Sequence, residues 1–161
     1  MPMEPQNTRL PLPDRYDRAA LAQMAERMHA DNFNCAQSVA CALGSAFGID
    51  EDLCFRLAEG LGGGLGSHTE TCGALLGGAM AMGLGRSNGP TNPTSKLATY
   101  QLSIKLGERF RERYGTTVCQ EIRAQDHSGE NPLPICRQCI LDALETSIDV
   151  LEELAQEEPG K

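Results

Sequence analysis

The sequence predicts an all-α protein, a single-domain helical bundle of about six or seven helices. Apolar residues recur at spacings of three and four along most of the chain, and capping or stop residues bracket these stretches. No segment alternates apolar and polar residues with the period of two that is typical of a strand. Aromatic residues are only 4% of the 161 residues, so the core must be built mainly from Leu, Ala, Met, Ile and Val.

The N-terminal part divides into an arm and a first helix. Residues 1–13 carry four prolines and are expected to form a flexible proline-rich arm, followed by a single helical domain at 14–157. Asp14 is predicted to cap a helix that runs to about residue 30. Its apolar stripe comprises Tyr16, Ala20, Leu21, Met24 and Met28.

The next two helices have clear boundary residues. Asn34 is expected to cap a second helix that runs through Phe47, and Gly48 is placed to end it. A short third helix is predicted over about 50–59. The residues expected to face inward from it are Leu53, Cys54 and Leu57.

A glycine run at 60–66 separates the third helix from a fourth. The fourth is predicted over about 70–84, with Thr69 or Thr71 as its cap. Small residues recur on it every four positions, which favours close packing of another backbone against it. These are Gly73, Gly77 and Ala81.

Three helices are expected in the last part of the chain. A long one is predicted over about 93–114 and Gly115 stops it. The face assigned to it comprises Leu97, Tyr100, Gln101, Ile104, Leu106 and Phe110. Thr116 or Thr117 is expected to cap a short helix with Val118, Cys119 and Ile122, and a last helix is predicted over about 135–155.

Charge and composition exclude several classes of partner. The net charge of −8 argues against nucleic acid and against an anionic membrane surface, since both require a concentrated basic face. The longest uncharged stretch, 71–85, is shorter than the about 20 residues that span a bilayer. No secretory signal is visible, so we expect a cytoplasmic location, where ordinary thiols stay reduced. Seven cysteines there point to metal binding or redox catalysis.

Four of the seven cysteines lie where a helix is predicted to begin. A helix N-terminus offers unpaired N–H groups and a partial positive charge, which favours the thiolate, the form that attacks disulfides and binds metals. These four are expected to gather in one site: Cys35, Cys72, Cys119 and Cys136. Cys41 and Cys54 lie inside predicted helices and are expected to be core residues.

Glycines are expected to line this site through their backbone N–H groups, as a loop that folds around an anion or a metal–sulfur centre. The glycines assigned to it are Gly62, Gly63, Gly64 and Gly73. His68 lies four residues before Cys72 and is a further candidate neighbour, whereas His29 is expected to be solvated. The glycine run fits neither nucleotide-binding pattern and follows a helix, so nucleotide binding is not expected.

The spacing of the cysteines leaves the chemistry open. The gaps between the four match no contiguous zinc or ferredoxin pattern, and Cys139 adds a C-x-x-C with Cys136 that metal sites and thiol–disulfide motifs share. Three hypotheses follow: an iron–sulfur cluster, a metal-free thiol–disulfide protein, or a structural Cys₄ zinc module. In the second, the thiolate of Cys72 or Cys136 attacks a substrate disulfide. If Cys136 attacks, Cys139 resolves the mixed disulfide that forms.

Several motifs together resemble the C_GCAxxG_C_C family of redox-active proteins, over about 15–150. They are Asn34-Cys35-Ala36-Gln37, the glycine run with Thr71-Cys72-Gly73-Ala74 and Gly77-Gly78, Tyr114-Gly115 before Cys119, and Cys136. The resemblance implies that the same four cysteines are the family's set. It also implies a helical domain related to the iron–sulfur domain of split-Soret cytochromes, although this chain has no C-x-x-C-H haem motif.

With this resemblance, the leading hypothesis is a redox domain at 14–157 whose four cysteines bind an iron–sulfur cluster, with 2Fe–2S as the expected type. Its role would be electron transfer or redox sensing, as an oxidoreductase or an electron carrier. The expected partner is a redox protein or a small-molecule electron donor or acceptor. A homodimer is a further possibility, because a small-residue helix face can pack against a second chain.

Overall fold

A computed structural model describes residues 16–158, and within that range the regular structure is helical, which confirms the all-α prediction. The expected arm at 1–13 and the Asp14 cap lie outside the described residues. A five-residue π-helical turn, Gly64–His68, lies between the third and fourth helices. The helices are α1 (Arg18–Ala30), α2 (Cys35–Ala46), α3 (Glu51–Glu59), α4 (Gly73–Arg86), α5 (Lys96–Tyr114), α6 (Cys119–Arg123) and α7 (Pro134–Glu157).

Side-chain caps fix the starts of the first three helices. Asp17 caps α1 and accepts a hydrogen bond from the Ala20 amide, so α1 begins after the expected start. Asn34 caps α2 through a reciprocal capping box with Gln37, as predicted from the sequence. Asp50 caps α3 and accepts from the Leu53 amide. These caps are local, and for that reason the cap at Asn34 could be predicted from the sequence, whereas Asp17 caps α1 in place of the expected Asp14.

Two helices lie at the centre of the bundle. Helix α2 packs against α1, α3, α4 and α7, and α4 packs against α2, α5 and α7. The small residues of α4 make this possible, because a Cβ on Gly77 would stand 2.6 Å from the carbonyl oxygen of Ala36. A Cβ on Gly78 would stand 2.4 Å from the Ser147 hydroxyl oxygen. The small-residue face of the fourth helix therefore packs within the chain.

The predicted inward face of α3 is wrong at two of its three positions. Leu53 and Leu57 are 51% and 61% exposed, whereas Cys54 and Ala58 are buried. Successive residues of a helix are turned by about 100°, so Cys54 and Ala58 share one side and the two leucines lie beside it. Helix α3 rests on α2 by that narrow side alone.

The predicted face of α5 mixes two stripes. The buried stripe is spaced by four residues and comprises Leu102, Leu106, Phe110 and Tyr114. Three residues assigned to the face point outward instead, since Leu97, Tyr100 and Ile104 are 70%, 54% and 48% exposed. Gln101 is exposed as well. Apolar spacing identified the helix, but it did not identify which stripe α4 and α7 would cover.

Several other boundaries differ from the predictions. Helix α4 begins at Gly73 with Cys72 itself as the N-cap residue, so neither threonine caps it. Helix α5 begins at Lys96, a few residues later than expected, and ends at Gly115, whose φ of 72° is the left-handed conformation that glycine adopts easily. Among the helices of residues 16–158, none is long and apolar enough to cross a membrane.

Candidate functional site

Five cysteines line one cavity of about 200 Å³ at the end of the bundle where several helices begin. They are Cys35, Cys72, Cys119, Cys136 and Cys139. The first four are those selected from the sequence, and all five are free thiols. Cys41 and Cys54 belong to a separate buried cluster with Met28, which confirms that they are core residues.

Helix starts position the four predicted cysteines. Cys35 and Cys119 are the first residues of α2 and α6, Cys136 is the third residue of α7, and Cys72 caps α4. The backbone amides of Ala74 and Leu75 act to lower the pKa of Cys72, and those of Gly63 and Ala36 act to lower that of Cys35. Two of the sulfurs thus lie near backbone N–H groups, as expected at helix N-termini.

The glycine run at 60–66 and Gly73 pack against residues of the cavity. Gly63 lines the cavity, and a Cβ on Gly64 would stand 2.5 Å from the Cys119 Cβ. A Cβ on Gly62 would stand 2.3 Å from the Asn34 side chain, and one on Gly73 would meet Cys35. All four glycines assigned to the site thus lie against Asn34, Cys35 or Cys119, or contact the cavity directly. A Cβ would clash at Gly62, Gly64 and Gly73, whereas at Gly63 the φ of 61° is what favours glycine.

An isolated antiparallel bridge between Thr71 and Val118 joins the segment before α4 to the segment before α6. The Cys72 amide donates to the carbonyl of Thr117 at 2.8 Å, and the Cys119 amide donates to the carbonyl of Glu70 at 2.8 Å. This bridge holds two cavity cysteines beside each other although they are far apart in sequence.

Burial and mutual proximity raise the pKa of three cavity thiols. Burial is the main cause for Cys35, Cys136 and Cys119, and it raises the pKa of Cys119 to about 11. The neighbouring sulfurs add to the effect because thiolates repel one another. Cys72 differs, since the adjacent Cys139 thiol and then the α4 amides lower its pKa. In the metal-free protein, Cys72 is therefore the cavity cysteine with the clearest thiolate character.

Polar side chains surround the cavity as well. His68 was only a candidate from the sequence, and its Nδ1 lies 3.5 Å from the Cys119 sulfur. Arg123 was not predicted, and its Nη1 lies 3.9 Å from the Cys136 sulfur. It follows Cys119 by four residues, a spacing that places both on one helix face. His29 also lines the cavity and is only partly exposed, so the expectation of a solvated residue was wrong.

Cys139 is the member of the site that sequence reasoning left out of the four. It is 2% exposed, and its pKa is shifted by Cys72 and by Tyr114, which are therefore its neighbours. Tyr114 donates to Asp142 at 2.5 Å, and Asp142 pairs with Arg113 at 2.5 Å. The signal was present in the C-x-x-C spacing, which places Cys139 one turn beyond Cys136.

The donor set suits soft metals, which thiolates bind in preference to hard cations. As the side chains stand, no group of three or more His, Cys, Asp or Glu residues within 16–158 is arranged to hold one metal ion. The five free thiols are soft donors that both the iron–sulfur and the zinc hypotheses require.

Comparison with known proteins gave one family. The family model described as "Putative redox-active protein (C_GCAxxG_C_C)" matches residues 33–150, a range that holds all five cysteines of the cavity. No curated protein and no solved structure matched the chain. The match covers well over half of the sequence, so the chain belongs to the C_GCAxxG_C_C family of redox-active proteins.

Proposed function

We propose that Cys35, Cys72, Cys119 and Cys136 bind a 2Fe–2S cluster and that the protein uses it for electron transfer or redox sensing. The observation that carries this proposal is the single cavity that all four cysteines line, each within the first turn or at the cap of a helix. When bound, such a cluster supplies one-electron chemistry at a potential that its surroundings set.

The protein groups around the cavity suit a thiolate-held, negatively charged centre. Amides of Gly63, Ala74 and Leu75 lie near cysteine sulfurs and act to lower their pKa, and N–H donors to the sulfurs of a cluster stabilise its reduced form and raise its potential. His68 and Arg123 adjoin two further sulfurs. Every one of the four cysteines therefore has a polar group of the chain within reach of its sulfur.

Electrostatics also favours a bound metal centre over four free thiols. Burial and the neighbouring sulfurs raise the pKa of Cys35, Cys119 and Cys136, so in the metal-free protein these sulfurs hold their protons at neutral pH. Metal cations displace such protons and offset the repulsion between the thiolates. A structural zinc module would use the same four sulfurs, each about 2.3 Å from one ion.

The test is an anaerobic absorption spectrum of freshly purified protein, with iron, zinc and acid-labile sulfide measured on the same sample. We expect a brown protein with iron and sulfide in equal amounts. The Cys35→Ser and Cys136→Ser variants should lose most of the iron, whereas Cys41→Ser should keep it, since Cys41 lies in the separate buried cluster.

Two other results would support the alternatives. A colourless protein with one zinc per chain would indicate the structural module. A folded protein that stays free of metal after reconstitution with iron and sulfide would contradict the proposal and indicate thiol–disulfide chemistry. In that metal-free case, the redox protein or small molecule that exchanges electrons with the chain would act on the thiols themselves.

A further inference from the structure

The cavity has one more thiol than a four-ligand cluster uses, and that thiol adjoins a proposed ligand. We infer that Cys72 and Cys139 form a reversible disulfide that excludes the cluster, so that thiol oxidation and iron loading compete for Cys72. This inference rests on the proposed function, because the competition requires Cys72 to be a ligand.

The positions of the two residues favour this pair. Cys72 caps α4 and Cys139 lies in the second turn of α7, and these helices pack against each other. Both side chains are buried, at 7% and 2% exposure, both line the same cavity, and each thiol shifts the pKa of the other, as neighbouring thiols do. The Cys72 amide donates to the Thr117 carbonyl at 2.8 Å, which fixes the backbone at the start of α4.

The neighbours of the other cysteines make alternative pairs less favoured. His68 stands 3.5 Å from the Cys119 sulfur, and Arg123 stands 3.9 Å from that of Cys136. Cys136 and Cys139 occupy successive turns of one helix, yet the side chain of Cys139 interacts with Cys72 and Tyr114. The expectation that Cys139 would act on Cys136 is therefore replaced by a pairing across two helices.

Tyr114 is a further neighbour of Cys139. Its hydroxyl donates to Asp142 at 2.5 Å, which leaves the phenol oxygen free to accept a hydrogen bond from the Cys139 thiol. Asp142 is anchored in turn by Arg113. Tyr114 is therefore held by its own partners in a position from which it can accept from Cys139.

The oxidation is ordinary thiol–disulfide exchange with a small disulfide as the oxidant. The Cys72 thiolate attacks one sulfur of the oxidant and releases the first thiol. The Cys139 thiolate then attacks the mixed disulfide at the Cys72 sulfur and releases the second thiol. Two protein thiols lose two electrons and two protons in total, and the oxidant becomes two thiols. One proposed ligand is thereby removed, and a thiol reductant restores it.

The first part of the test is a disulfide map of the metal-free protein. Trypsin separates the relevant cysteines, because peptide 57–86 holds Cys72, 124–137 holds Cys136 and 138–161 holds Cys139. Reduced protein is equilibrated anaerobically with cystamine and cysteamine at increasing ratios, alkylated and digested. We expect the dominant linked species to join 57–86 to 138–161, and to disappear on return to cysteamine alone.

The second part follows iron in the loaded protein through the same buffers. We expect the wild type to lose iron over the range of ratios in which the linked peptides form. Cys139→Ser should keep its iron at ratios at which the wild type has lost most of it. Cys139→Ala should also keep its iron, and unlike Cys139→Ser it places no hydroxyl at this buried position. Cys41 is a buried cysteine outside the cavity, so Cys41→Ser should lose iron at the same ratios as the wild type.

The outcomes separate the inference from the proposed function. A dominant link between any other pair of peptides overturns the inference, and so does iron loss in both Cys139 variants at the wild-type ratio. If neither the wild type nor the variants bind iron after reconstitution, the proposed function is wrong, and so is the competition between disulfide and cluster. The peptide map then shows independently whether Cys72 and Cys139 form a pair.

Discussion

Gly73 and Cys35 approach so closely that a Cβ on Gly73 would stand 2.5 Å from the Cys35 sulfur. The same Cβ would lie 2.9 Å from the carbonyl oxygen of Leu61 and 3.0 Å from the Gly62 Cα. Both of the latter are backbone atoms, which side-chain rotation cannot move. The start of α4 thus packs tightly between the Cys35 sulfur and the glycine run at 60–66.

Gly73→Ala should therefore disrupt the site. The added methyl group has to displace the Cys35 sulfur and the backbone near Leu61, and overpacking of this kind destabilises proteins by about 1–3 kcal/mol. We expect the variant to keep its helical circular dichroism but to retain only a small fraction of the wild-type iron after reconstitution.

Gly83→Ala is the matched control, because Gly83 lies in the same helix and its Cβ would meet nothing within 4 Å. Alanine in an open helical position should stabilise the protein by about 0.5–1 kcal/mol, with iron content unchanged. Equal iron content in the two variants would contradict the close approach of Gly73 to the site.

Cys72 should be the most readily alkylated thiol of the metal-free cavity at neutral pH. The Cys139 thiol and the α4 amides lower its pKa, whereas burial raises that of Cys119 to about 11. A lowered pKa means that more thiolate is present at pH 7, and the thiolate is the form that iodoacetamide attacks. The rate at Cys72 should fall as the pH is decreased through its lowered pKa.

The two thiols make a fair comparison, since Cys72 and Cys119 are 7% and 8% exposed. Peptides 57–86 and 114–123 report them separately in a tryptic digest. In urea-unfolded protein the two rates should become similar. Similar rates in the folded protein would show that the surroundings of Cys72 do not favour its thiolate.

The site could be predicted from the sequence to the extent that its determinants are local. A cap at Asn34 and a stop at Gly115 depend on neighbouring residues, so the position of Cys35 at a helix start and the end of α5 followed from them. Cys119 also begins a helix, but the predicted cap was wrong, because Val118 and not Thr116 or Thr117 is the N-cap residue. The role of Cys139 did not follow, because its contact with Cys72 depends on how α4 packs against α7. Arg123 was missed for the same reason.

Tyr114→Phe should destabilise the protein. Tyr114 is 7% exposed and its hydroxyl donates to Asp142 at 2.5 Å, and burial raises its pKa, so it stays a neutral donor at ordinary pH. Loss of a hydrogen bond to a charged group removes about 1.5–3 kcal/mol. Arg113 still pairs with Asp142 in the variant, so we expect the lower end of that range in urea unfolding.

Tyr100→Phe is the control for the loss of a phenol oxygen. Tyr100 is 54% exposed on α5, and exposed substitutions of this kind change the free energy of unfolding by less than about 0.5 kcal/mol. If Tyr114→Phe changed the stability no more than Tyr100→Phe, the bond to Asp142 would contribute nothing measurable.

Ser147→Ala should stabilise the protein. Ser147 is fully buried in α7, and its hydroxyl has no hydrogen-bond partner in the described part of the chain. An unpaired buried hydroxyl costs about 1–3 kcal/mol, so its removal should raise the free energy of unfolding by about 1 kcal/mol after some loss of packing against Gly78.

Ser38→Ala is the matched control, because the equally buried Ser38 hydroxyl donates to the Asn34 carbonyl at 2.9 Å. That variant should be destabilised by about 1 kcal/mol. Urea unfolding of both variants decides the matter, and a loss of stability in Ser147→Ala equal to that in Ser38→Ala would show that the Ser147 hydroxyl is satisfied.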